Sequence, residues 1–199
     1  MRWQGTAGAG RFDTVLDFGS EGEYDVEMTT VQLSLARSIG PRRTLRLVAG
    51  GILDGSLQNG SRPEHDVTSG GLLALGLEHR VRPGRGWTPS IDLSGSFGLS
   101  WAATSTAEPA GDTDYFAGDL RLGALCGWSP VRNVTTYGAV RVFGGPVSWQ
   151  VEGRDATGTD KYHFQVGGGA SVALGAAALF AEIDFLGERA LSAGISYTR

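Results

Sequence analysis

Few residues in this chain have the types and spacing that covalent or metal chemistry needs. His65, His79 and His163 stand far apart, with no HExxH pattern and no two ligands at metal spacing. Cys126 is the single cysteine, which excludes an internal disulfide and carries no metal spacing. Neither a G-x-S-x-G elbow nor a phosphate-binding loop is present. Glu64, His65 and Asp66 do group acids with a histidine, but in a polar stretch rich in turn formers. The expectation is a protein with no catalytic residue, no cofactor and no metal.

What remains is ionic chemistry. Asp13, Asp17, Arg46, Glu78, Asp92, Asp119, Arg121, Arg141, Glu182 and Asp184 all fall on the polar parity of runs that alternate with apolar residues. Charges enclosed in a narrow lumen are costly unless paired and hydrogen-bonded, so acids and arginines from neighbouring strands are expected to form a salt-bridged plug. The alternative is a wet pore lining whose acidic excess favours cations.

The elements that must position these charges are β-strands. Ile91, Leu93, Gly95, Phe97, Leu99 and Trp101 share one parity, and Asp92, Ser94, Ser96, Gly98 and Ser100 share the other. Side chains on a strand alternate between two faces, so the run offers one face to an apolar phase and the other to small and polar groups. At roughly 11 residues it has the length of a tilted strand that crosses a bilayer. Similar runs lie near 11–18, 30–38, 45–54, 73–78, 116–128, 134–151, 162–174, 179–185 and 191–197. About ten antiparallel strands result, with eight the other count the pattern admits. Within 134–151 the apolar parity moves from Val140 and Val142 to Val147 and Trp149 across Gly144-Gly145-Pro146, as a β-bulge would produce.

Composition narrows the class. The 199 residues contain no linker between halves, so 1–199 reads as a single domain. No stretch approaches the roughly 18 consecutive apolar residues of a membrane-spanning helix, and mean hydropathy is −0.09. The 32 glycines suit many tight turns and close backbone approaches. Net charge is −4, with no basic run, which excludes nucleic acid as the expected partner. Met1 is followed by RWQGTAGAG, which lacks an apolar core, so an export signal is expected to have been removed.

Charge and aromatic placement follow the strand pattern. Short connections carry Arg42, Arg43, Arg82, Arg85 and Arg132, whereas stretches read as long loops carry Glu21, Glu23, Glu64, Asp66, Glu108, Asp112, Asp114, Asp155 and Asp160. The residues 55–69 and EGRDATGTDK are among those loops. Trp101, Tyr115, Phe116, Trp128, Trp149 and Tyr162 gather at strand ends, where aromatic girdles at membrane interfaces would lie.

This pattern resembles the small outer-membrane β-barrels of Gram-negative bacteria, the opacity-protein-like group. The nearest local match is the end, LFAEIDFLGERALSAGISYTR, a strand, a short Gly-containing turn and a final strand. Family members usually finish with an aromatic residue at the parity position that Arg199 occupies here. The resemblance implies an all-β, antiparallel up-and-down transmembrane barrel in the bacterial outer membrane. Its partners would be the lipid bilayer, lipopolysaccharide and a cell-envelope protein, and its role anchoring or surface binding through long acidic extracellular loops. Three alternatives stay open: a narrow cation-preferring channel; a soluble barrel, similar to lipocalins or avidins, whose apolar parity points inward around a ligand; and an outer-membrane protease or lipid A-modifying enzyme using His65.

The apolar parity as a lipid face gives the first prediction. Arg at Leu75 or Phe97, each near mid-strand, should destabilise the folded barrel by about 2–4 kcal/mol in a urea titration in lipid vesicles. Folding of the unmodified chain as a detergent-free soluble monomer would instead support the inward-facing soluble barrel.

Overall fold

A computed structural model describes residues 2–60, 64–85, 88–106, 113–151 and 154–199. It contains one antiparallel sheet of twelve strands: β1 (Trp3–Asp17), β2 (Glu23–Ser38), β3 (Arg43–Gln58), β4 (His65–Arg82), β5 (Ser90–Thr106), β6 (Thr113–Val131), β7 (Val134–Gly144), β8 (Val147–Val151), β9 (Arg154–Asp160), β10 (Phe164–Leu174), β11 (Ala177–Gly187) and β12 (Arg189–Thr198). Strand β12 pairs with β1 and closes the sheet, so both termini lie at one rim. The connections 39–42, 132–133 and 175–176, with residues 83–85 and 88–89, belong to that terminal rim.

The barrel changes its strand number along its height. Near the terminal rim the wall runs β1 through β7, then β10, β11, β12 and back to β1, a closed ten-stranded barrel. At the far end β7 gives way to β8 on the same partner β6, and β9 pairs with β8 on one side and β1 on the other. The β11–β12 hairpin has ended by then, so β1 to β6, β8 and β9 form an eight-stranded extension.

On strands without a bulge the facing is constant while the surroundings invert. On β2 the even residues point inward throughout: Tyr24, Val26 and Met28 are at most 2% exposed, and Gln32 and Ser34 continue the same face. The odd residues point outward, as Glu23, Asp25 and Glu27 at the far end and then as Val31, Leu33 and Leu35. Beside lipid the wall is apolar outside and polar inside; in the extension it is polar outside and apolar inside. On β3 and β4 bulges at Leu53 and Thr68, near this boundary, switch the facing instead, so Leu57 and Val67 are buried on the parity that carries Leu45, Leu47, Leu73 and Leu75 outward.

Inversion corrects several expectations. No bulge separates β7 from β8: Leu120 pairs with Gly144 and Ala117 with Val147, one unbroken register on β6. The apolar parity moves there because the environment outside changes, not the register. Of the stretches read as loops, 55–58, 65–69 and 154–160 are strand, in β3, β4 and β9, and β2 begins at Glu23. Asp114 lies on β6, whereas Glu108 and Asp112 fall outside the described residues.

The lipid-facing band is bounded by aromatics. Trp101 and Phe116 are exposed cross-strand partners near the far boundary, with Tyr162 exposed after β9; Trp128 and Trp3 are exposed near the terminal rim. A rise of ~3.3 Å per residue and a tilt of about 40° put Phe116 and Trp128 roughly 30 Å apart across the membrane, the thickness of its hydrocarbon. Tyr115 and Trp149 do not belong to this girdle. They are 7% and 1% exposed and face the core of the extension, because apolar side chains above the lipid gain by pointing inward.

Candidate functional site: the lumen

The extension is filled by side chains. Eight strands enclose a space that side chains can occupy completely. Here Trp149 is the centre: its ring lies 5.1 Å from that of Tyr24, 5.7 Å from Phe18 and 4.6 Å from His65. Its indole N–H donates to Thr104 Oγ1 at 3.0 Å, and the Thr104 and Thr113 hydroxyls meet at 2.6 Å. Leu16, Leu57, Val67 and Val147 complete the packing. His65 is thus a core residue, while Asp66 beside it and Glu64 before it are exposed, so the three do not converge as a catalytic couple. His79 takes the outer parity of β4 and His163 lies in the connection before β10.

Where ten strands become eight, a charged layer crosses the lumen. Arg121 of β6 pairs with Asp119 on its own strand and donates twice to Glu188, from Nη1 at 2.9 Å and Nη2 at 3.2 Å. Its guanidinium lies 4.6 Å over the Phe143 ring. Gln165 of β10 donates to Glu188 at 3.2 Å and accepts from Arg141 of β7 at 3.1 Å. Arg141 also reaches Asp184 at 3.1 Å and Glu182 at 2.6 Å, and the Tyr137 hydroxyl donates to Glu182 at 2.6 Å. One hydrogen-bonded chain therefore ties β6, β7, β10 and β11 to the tip of the last hairpin.

That tip is built for the purpose. Gly187 has φ +78°, and a Cβ there would sit 1.7 Å from the Phe164 carbonyl oxygen, so glycine alone lets the chain turn directly beneath β9. Glu188 is consequently buried in the wall, with its carboxylate turned to Arg121. Gly167 serves the same layer, since a Cβ would meet Asp184 Oδ1 at 2.0 Å. Asp160, at the base of the extension in β9, has its carboxyl pushed up to about 6 by burial and then by the Glu188 charge.

Two smaller ion pairs lie nearer the terminal rim. Arg46 bridges Glu78 at 2.9 Å and donates to Ser34 at 3.2 Å, and Arg80 holds Asp92 at 2.7 and 3.3 Å. Between these pairs and the Arg141 layer is a cavity of about 690 Å³, lined by residues including Thr6, Ser94, Ser96 and Glu182. A second, of about 400 Å³, has Met28, Ile52 and Tyr115 on one side and Arg121 and Glu188 on the other.

Asp13 and Asp17 are not part of the lumen. On β1 the buried residues are Thr14 and Leu16, so the odd positions face outward, where Asp13 lies opposite Glu27 and Arg189. Leu16 and Phe18, on the opposite parity, belong to the core of the extension, and the outer face at that end of β1 stands in water. Sequence reasoning did not find Glu188, Gln165, Tyr137 or Arg80. Arg80 and Tyr137 carried a usable signal, the parity they share with Glu78 and Arg141. Glu188, in a turn, carried none.

No protein-family model matches this chain, and no curated protein does. Among solved structures it is similar to the translocator domain of the autotransporter NalP from Neisseria meningitidis, at 15% identity and a TM-score of 0.50, covering 98% of this chain and 88% of that one. It is similar also to an outer membrane channel from Pseudomonas putida F1, at 11% identity, TM-score 0.50 and coverage of 100% and 94%. The transport unit of AIDA-I from Escherichia coli matches at 8% identity, TM-score 0.50 and coverage of 100% and 89%.

The charged layer makes a graded prediction. Arg121→Ala strands Asp119 and Glu188 inside the wall and should destabilise by about 3–5 kcal/mol, read as a lower urea midpoint. Arg46→Ala breaks a more exposed pair and should cost about 1 kcal/mol or less. Equal effects would show that the Arg121 layer is as wet as the Arg46 pair.

A closed antiparallel barrel, apolar on the outside of its band and charged within, has the β-barrel fold of these outer-membrane proteins.

Proposed function

We propose that this barrel is a closed anchor that holds a rigid acidic collar outside the membrane for surface binding. The observation that carries this reading is the Trp149-centred packing, which fills the lumen of the extension beyond the Arg121 layer. Glu23, Asp25, Asp54, Asp66, Asp114 and Asp155 stand exposed on β2, β3, β4, β6 and β9, so the acids are displayed largely by strands instead of by long loops. Strands fixed in a sheet hold their charges at set spacings, which suits recognition of a cell-envelope protein or of cations at the lipopolysaccharide surface. In this orientation the rim with the termini faces the periplasm. No step of this role needs a catalytic group or a cofactor.

The second reading is a narrow cation-preferring channel. The two cavities favour it, as does the acidic excess of Asp119, Glu182, Asp184 and Glu188 over Arg121 and Arg141.

Planar-bilayer recording separates the two. The anchor reading expects no stepwise conductance from the unmodified barrel, and a loss of about 3–5 kcal/mol of stability in Trp149→Ala. Discrete cation-selective steps, with a selectivity that shifts in Arg121→Ala, would establish the channel instead.

A further inference from the structure

The terminal rim has a chemistry that neither the collar nor the charged layer uses. Arg2, Arg42, Arg43, Arg82, Arg85 and Arg132 are exposed there. Among the described residues, the carboxylate side chains lining its mouth are Glu78 and Asp92. Both are already engaged, Glu78 by Arg46 at 2.9 Å and Asp92 by Arg80 at 2.7 Å. Part of this charge converges. A cleft of about 560 Å³ is lined by Arg2, Arg42, Arg43 and Arg80 together with Ser38 and Thr44.

The cleft is held by backbone bonds between three parts of the chain. Ser38 N–H donates to the Arg2 carbonyl at 3.0 Å, Ile39 N–H to that of Arg43 at 3.0 Å, and Arg80 N–H to that of Arg42 at 2.8 Å. Ser38 and Thr44 are cross-strand partners at the base of the β2–β3 turn, which Gly40-Pro41 tightens. The roots of the arginines are therefore fixed relative to one another, and two hydroxyls lie among them. Guanidinium groups present forked N–H donors that match the oxygens of a phosphate, and several at one cleft favour a ligand with more than one negative charge.

We propose that this cleft is a binding site for a phosphate group, carried by the headgroup of an anionic phospholipid or by a soluble phosphate ester. Arg2, Arg42 and Arg43 supply charge that the neighbouring acids do not neutralise, and Ser38 and Thr44 supply neutral donors. The site opens beside the 690 Å³ cavity, with which it shares Glu78, Arg80 and Asp92. A soluble ester bound here would stand at the entrance to that cavity, whereas a lipid would place its headgroup at the rim.

The test is calorimetric titration of the full-length barrel in zwitterionic detergent with inorganic pyrophosphate, at low ionic strength. The expected result is one saturable site, weakened at least about tenfold in Arg42→Gln/Arg43→Gln, since charge-assisted bonds of this kind are among the stronger ones. Arg132→Gln, on the same rim but outside the cleft, should leave binding unchanged. Heat-modifiable gel mobility identifies folded protein for each variant. Repeating the titration in phosphatidylcholine nanodiscs with and without phosphatidylglycerol separates the sources. A lipid-occupied cleft loses pyrophosphate affinity in the anionic discs, and a cleft for soluble esters does not. Absence of saturable binding overturns the proposal, as does equal binding by the wild type and the double variant, or an equal loss in Arg132→Gln.

Discussion

An unbulged β-strand that leaves a bilayer keeps its facing and changes its solvent. Alternation fixes which side chains point into the barrel, so the strand cannot turn its apolar residues from lipid to core without a bulge. The sequence must either move them to the other parity or insert a residue, as β3 and β4 do at Leu53 and Thr68. Strand β2 changes parity between Thr29 and Val31, and the β7–β8 pair does it between Val142 and Val147 while keeping one register on β6. The rest of the molecule depends on that constraint. It makes the lower wall a transmembrane barrel and the upper wall a water-facing one with its own hydrophobic core.

The two halves also differ in how their interiors are filled, and strand number explains why. Ten strands leave room that is occupied by charged pairs and by cavities. Eight do not, and the aromatic cluster around Trp149 closes the space. The junction is where both solutions meet. There the last hairpin stops beneath β9, Gly187 permits the turn, and Glu188 reaches inward to Arg121. A buried ion pair contributes little net stability over an apolar substitute, but leaving one partner alone is expensive. The network is therefore better understood as fixing where the hairpin ends than as holding the barrel together.

Much of this was legible in the residues. The alternation in Ile91–Trp101 and its recurrences revealed the all-β class, the lipid face and the approximate strand count, because period-two patterning is imposed directly by the environment. Arg46, Glu78, Asp92, Asp119, Arg121, Arg141, Glu182 and Asp184 could be assigned to the inner parity for the same reason. The extension was not legible as such. A single parity was carried to the ends of the strands, so Tyr115 and Trp149 were read as girdle residues, Asp13 and Asp17 as lumen charges, and polar strand ends as loops. The alternation of Glu23, Asp25 and Glu27 with Tyr24, Val26 and Met28 was the available signal. Closure itself left no local trace, which is why the inward turn of Glu188 could not be read.

Inversion along one strand is most directly tested by site-directed spin labelling of β2 in lipid vesicles, in a Cys126→Ser background. Labels would replace Leu33, Asp25 and Val26 one at a time, and their relaxation by lipid-soluble oxygen and by a water-soluble nickel complex would be compared. Inversion of the surroundings along β2 gives oxygen access at position 33, nickel access at position 25 on the same face, and protection from both at position 26. Strong nickel access at position 26, or oxygen access at position 25 equal to that at 33, would contradict it.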